Sequence, residues 1–98
     1  MTFEIVFTPR AREHLRLLPV RTQRTIVDQI TVQLSHRPDV PTRKRQPLRP
    51  NRLAGWELRI ANWPVFYDIH REISRVDIVA VGVKQHNRLF IAGKEFLL

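Results

Sequence analysis

Apolar Phe3, Ile5 and Phe7 alternate with Glu4 and Val6, the period of a strand that turns one face to a core. Thr8-Pro9 then breaks the alternation. Thr is a competent N-cap and Pro is favoured at the first helical position, so a helix is predicted from Pro9 that carries Leu15, Leu17 and Leu18 to a stop near Pro19. Its outer face holds Arg10, Arg12, Glu13 and Arg16, and His14 among them reads as solvated. A second helix is predicted over 20–35, where Val20, Val27, Ile30 and Leu34 recur at helical spacing with Ile26 beside the stripe. The link between the two is short, which makes them an antiparallel hairpin.

From Arg37 to Gly55 the periodicity stops. Pro38, Pro41, Pro47 and Pro50 interrupt Arg43, Lys44, Arg45, Arg49 and Arg52, which predicts a stiff basic arch without regular structure. Beyond Gly55 the period is two. Trp56-Leu58-Ile60, Val65-Tyr67-Ile69 and Val76-Ile78-Ala80 are the inward sets of three strands, with turns at 62–64 and 71–75, so an antiparallel meander is expected. The tail from Lys84 to Leu98 is compatible with a short helix or a further strand. The order strand, helix, helix, three strands gives one α+β domain over 1–98: an N-terminal strand and helix hairpin packed on a curved antiparallel sheet. The face away from the helices is expected to be open and to display Arg59, with Leu58 turned inward; a slip of one register would exchange them.

Of 17 cations 14 are arginine, against 9 acidic residues, for a formal charge of +8. Arginine's planar fork matches phosphate and stacks on bases, so a polyanion is the first partner to consider. No cysteine is present, which excludes disulfides, thiol nucleophiles and Cys-based metal centres. The longest apolar runs fall far short of the roughly 20 residues of a membrane span, and no secretory leader is visible, so a cytoplasmic protein without membrane association is expected.

No Gly-rich phosphate loop, helical metal-ligand pair or nucleophile elbow occurs. His36 reads as a helix-end residue. His86 lies in Lys84-Gln85-His86-Asn87-Arg88, directly after the last long strand, where loops often carry function. Cleaving RNA without a metal needs a base for the 2′-hydroxyl, cations for the phosphorane, and an acid for the departing 5′-oxygen. His86 titrates in the useful range, and Arg59, Lys84 and Arg88 offer charge. Arg43, Lys44, Arg45, Arg49 and Arg52 suit a nucleic-acid backbone, and Trp63 is the aromatic best placed to stack on a base, the others being expected in the core.

The motif Leu53-Ala54-Gly55-Trp56-Glu57-Leu58-Arg59-Ile60, followed by Val65-Phe66-Tyr67-Asp68-Ile69 and Val79-Ala80-Val81-Gly82-Val83-Lys84, together with Phe7-Thr8-Pro9-Arg10-Ala11, resembles the RelE/ParE superfamily of toxins from bacterial type II toxin-antitoxin systems. The resemblance covers nearly the whole chain and implies the same sheet backed by a helix hairpin. Its RelE-like branch implies a ribosome-dependent, metal-independent mRNA endoribonuclease with no cofactor, acting on mRNA held among ribosomal RNA. Its ParE-like branch implies a DNA gyrase inhibitor instead. Matched position by position, Arg59 and Lys84 fall on the branch's basic residues, and His86 or Phe90 on its C-terminal acid-base position. Two departures stand out: Pro64 replaces a usual Arg, and Phe90 a frequent Tyr that transfers protons. They leave room for a degenerate member that only binds. The resemblance also implies an acidic antitoxin partner, for which the helix arginines Arg10, Arg12, Arg16, Arg21 and Arg24 are suited.

Overall fold

The computed structural model describes residues 2–98. Strand β1 (Glu4–Phe7) ends at Thr8, whose hydroxyl accepts from the Ala11 amide at 3.1 Å and so caps helix α1 (Pro9–Arg16) in the way that Thr-Pro predicts. The same hydroxyl donates to the Val79 carbonyl at 3.3 Å, which ties the cap to the sheet. The buried residues of α1 are Ala11, His14 and Leu15. His14 is therefore interior, contrary to its reading as a solvated residue, because positions 11, 14, 15 and 18 share one helical face. Leu17 falls off that face and is 70% exposed. Helix α2 (Val20–Leu34) buries Ile26, Ile30 and Leu34. Val20, expected in the stripe, lies about 120° round the axis from Ile26 and is 64% exposed.

Strands β3 (Trp56–Ile60), β4 (Trp63–His70) and β5 (Arg75–Val81) form the antiparallel meander that the period-two pattern predicts. The turn between β3 and β4 is Ala61-Asn62, so Trp63 and Pro64 belong to the strand rather than to the turn. A 3-10 turn (Arg71–Ile73) followed by Ser74 in the left-handed region joins β4 to β5. Two features correct the expectation. β1 pairs with β5 in parallel, Glu4 opposite Arg75 through Phe7 opposite Ile78, so the sheet is mixed. The basic arch contributes an edge strand, β2 (Arg45–Pro47), to give the order β1-β5-β4-β3-β2. Pro47 is tolerated there because an edge strand has a side without ladder bonds.

The register is the one the alternation requires. Leu58, Ile60, Val65, Tyr67, Val76 and Ile78 pack with Ala11, Leu15, Ile26, Ile30 and Leu34 between sheet and helices, while Arg59 faces away. Tyr67, fully buried and stacked on Trp56, donates its hydroxyl to the Pro38 carbonyl at 2.8 Å and so anchors the start of the arch to the core.

The outer face is not open along its whole length. The tail folds into three short antiparallel strands, β6 (Val83–Gln85), β7 (Arg88–Ile91) and β8 (Lys94–Glu95). Leu89, Ile91 and Phe96 from this unit meet Leu48, Leu53 and Ala54 of the arch over Phe66 and Ala80, forming a second apolar cluster. The chain passes from β5 to β6 at Gly82, whose amide donates to the Pro64 carbonyl at 2.8 Å. A Cβ there would stand 2.8 Å from a Leu89 methyl and 3.1 Å from the Phe90 carbonyl, so the close passage needs glycine. What stays uncovered is a strip beside the Ala61-Asn62 turn and a second polar strip at the far end of β4 and β5.

Candidate functional site

Alternation along β3 places Glu57 and Arg59 on the outer face. The tail brings Lys84 to the same place, because the Lys84 amide donates to the Asn62 carbonyl at 2.8 Å and holds the start of β6 against the β3–β4 turn. Glu57, Arg59, Ala61, Pro64 and Lys84 line a cavity of 180 Å³. Arg59 is exposed and donates to Gln46 Oε1 of β2 at 3.3 Å, which steadies its guanidinium at the rim. Lys84 Nζ stands 3.7 Å from Glu57 Oε2; its side chain is 44% exposed, that of Glu57 only 8%. Glu57 Oε2 is buried and has no hydrogen-bond partner among the described residues. On the other side of Lys84 lies a cavity of 230 Å³ that shares Glu57 and adds Phe66, Arg88, Leu89 and Phe96. Arg88 is exposed there and pairs with Glu95 at 3.6 Å.

The structure thus brings Arg59 and Lys84 together and sets Arg88 one cavity away. His86 does not line either cavity. With Asn87 it forms the two-residue turn between β6 and β7, at φ 53° and 65°, and its exposed ring has no hydrogen bond or ion pair among the described residues. Phe90 points elsewhere: it lines a groove of 360 Å³ with His14, Leu17 and Leu18 against α1, so its missing hydroxyl does not bear on the Lys84 cavity. Of the arch cations, Arg43, Lys44, Arg49 and Arg52 are exposed. Arg45 is not available in the same way. Its guanidinium donates to the Gln33 carbonyl at 2.6 Å and the Val40 carbonyl at 3.1 Å, stapling the arch to α2. Trp63 is half-buried and packs against the core under the helices, which favours a packing role over base stacking.

Two ionisable residues escape a reading of the sequence by motif. Glu57 sits in the same alternating set as Arg59, and that spacing is the signal that places it on this face; its burial shows only in the fold, which sets it between Gln46 and Phe66 with Lys84 of the tail beside it. His14 Nδ1 accepts the Val81 amide at 3.1 Å across the end of β5. Burial, and then the nearby Arg10 guanidinium, hold its proton affinity below the ordinary histidine value. The far strip carries a third group: His70 Nε2 lies 3.0 Å from Asp77 Oδ2, and Arg75 Nε 2.9 Å from Asp77 Oδ1.

A cavity with two cations and one buried carboxylate can grip a phosphodiester and exchange a proton beside it. Comparison with known proteins bears on the use of that capacity. The family model described as "ParE toxin of type II toxin-antitoxin system, parDE" matches residues 5–88. Among solved structures, the chain is similar to one in the toxin-antitoxin complex RelBE2 from Mycobacterium tuberculosis, at 27% identity over 86% of this chain and 100% of that one, with a TM-score of 0.72. No curated protein matches the sequence.

Proposed function

Because the chain belongs to the ParE toxin family of type II toxin-antitoxin systems, we propose that its toxic act is cleavage of mRNA on the ribosome. The observation that carries this reading is the convergence of Arg59 and Lys84 on one outer-face cavity, with Arg88 beside it. Cations so placed stabilise the negative charge that grows on the phosphoryl oxygens. Exposed Arg43, Lys44, Arg49 and Arg52 extend the positive surface along the arch for contacts that ignore sequence and weaken with salt. His86, at the tip of the β6–β7 turn, lines neither cavity, so the proton of the leaving oxygen is assigned to water. The partner that restrains the toxin is an acidic antitoxin, as the +8 charge and the similarity to a toxin in complex with its antitoxin both favour.

Expression without the antitoxin should arrest growth, and toeprinting should show new mRNA ends inside translating ribosomes. Replacing Arg59 or Lys84 by Ala should lower cleavage on the order of 10² to 10³-fold. Harmless overproduction of the wild type would refute a toxic activity.

A second reading is inhibition of DNA gyrase, favoured by the matching family's own description as ParE. The same expression experiment separates the two, since gyrase poisoning yields DNA breaks and leaves messages whole.

A further inference from the structure

We infer that Glu57 is the proton acceptor of the Arg59–Lys84 cavity and the group that selects ribose over deoxyribose there; the assignment rests on the mRNA-cleavage reading above. Glu57 lies on an inner strand of the main sheet and is 6% exposed. Its cross-strand neighbours are Gln46 on β2 and, on β4, Phe66, a fully buried residue of the second apolar cluster. An apolar residue at position 57 would extend that cluster, whereas a carboxylate must give up its hydration. Among the described residues no hydrogen bond makes that loss good, and only the Lys84 ion pair offsets it. Oε2 has no hydrogen-bond partner among them, Lys84 Nζ at 3.7 Å lies beyond hydrogen-bonding distance, and the Arg59 guanidinium is turned to Gln46. A buried acceptor left in this state calls for a donor from outside.

The surrounding charges define that donor. A bare phosphate is drawn to Arg59 and Lys84 but repelled by the carboxylate between them. A ribonucleotide satisfies all three groups, because it carries a hydroxyl next to its phosphodiester: phosphate oxygens meet the cations, and the 2′-hydroxyl donates to Glu57. Deoxyribose has no donor at that place and leaves Glu57 unpaired, the kind of mismatch that discriminates strongly in a buried site. As the half-exposed Lys84 ammonium turns to the phosphate, the 2′-hydroxyl takes its place beside the carboxylate. Glu57 then takes the 2′-hydroxyl proton, the 2′-oxygen bonds to phosphorus, and the bond from phosphorus to the 5′-oxygen breaks. The 5′-oxygen leaves with a proton from water, and Glu57 returns its own proton to solvent. The products are a 2′,3′-cyclic phosphate and a 5′-hydroxyl.

The test follows single-turnover cleavage of translated mRNA by wild type and Glu57→Gln, with melting temperature and ribosome co-sedimentation as controls. Glu57→Gln should lose on the order of 10² to 10⁴-fold while still sedimenting with ribosomes, and Glu57→Asp should recover part of the rate. Cleavage by Glu57→Gln within about threefold of wild type overturns the assignment and leaves the parent reading intact. Should Glu57→Gln not fold, equal wild-type affinity for a message and for the same message with one 2′-deoxyribose at the cleaved position overturns it alone. Messages left whole by the wild type bring down the parent reading and this assignment together.

Discussion

Acid should loosen this fold through His14. In the folded chain burial and Arg10 hold the imidazole's proton affinity below its ordinary value of 6.5, and Nδ1 is engaged as acceptor of the Val81 amide. The unfolded chain therefore binds the proton more readily, so stability contributed by neutral His14 is complete above about pH 6.5 and is lost as pH falls below it toward the folded value. The ceiling at pH 5.5 is about 1.4 kcal/mol, reached if the folded ring stays neutral there. For a chain of this size each kcal/mol moves the melting temperature by about 4–8 °C. Two variants isolate the cause. His14→Asn keeps an acceptor near the Nδ1 position and does not titrate, so its melting temperature should depend less on pH than that of wild type. His14→Leu removes the acceptor, leaves the Val81 amide unpaired in the interior, and should cost about 1–3 kcal/mol at neutral pH. The measurement is thermal unfolding at pH 7.5, 6.5 and 5.5 for all three proteins. Equal acid sensitivity in wild type and His14→Asn would refute the reasoning, since the other histidines are shared between them.

Tyr67→Phe removes the hydroxyl that pairs with the Pro38 carbonyl, and denaturant titration should show a loss of about 1–3 kcal/mol. Gly82→Ala forces a methyl against Leu89 and the Phe90 carbonyl; a loss of about 1–3 kcal/mol is expected, with protease cleavage of the tail rising as the three-stranded unit lifts. Thr8→Ala removes both the helix cap and the bond to Val79 and should cost about 1–2 kcal/mol by the same titration. Arg43→Ala and Lys44→Ala should lower the slope of RNA affinity against salt by about 0.7 each without changing stability, whereas Arg45→Met should lower stability, because that side chain is held by backbone carbonyls.

What the sequence discloses is what local chemistry decides. Thr8-Pro9 announces the start of α1 because capping needs only neighbouring residues, and the alternation from Trp56 onward places Arg59 outside because strand faces follow from parity alone. The parallel docking of β1 is hidden, since its partner lies about 70 residues away and nothing in Phe3–Phe7 names it. β2 is hidden by Pro47, which breaks a strand anywhere except at an edge. The tail gives no period because its strands are two to four residues long. Lys84 and Arg59 were legible as candidates by residue type and position; that they share a cavity depends on the Lys84 amide reaching Asn62. His86 looked equally apt in the sequence, yet the tight β6–β7 turn carries it away from both cavities. Glu57 was missed for the converse reason, because a carboxylate beside Arg59 reads as a surface charge until Leu89 and Phe96 are folded over the neighbouring Phe66.

The pairing of the first strand with the fifth also orders events in time. Residues 4–7 emerge before the rest of the sheet during synthesis, yet they have no seat until residues 75–78 have emerged, and Lys84 follows later still. Closure of so long a span is slow compared with helix formation, so the two helices form well before the layer that they cover. A nascent chain therefore remains without its cationic hollow until Lys84 has emerged. Any activity that depends on that hollow is thus withheld from the unfinished chain.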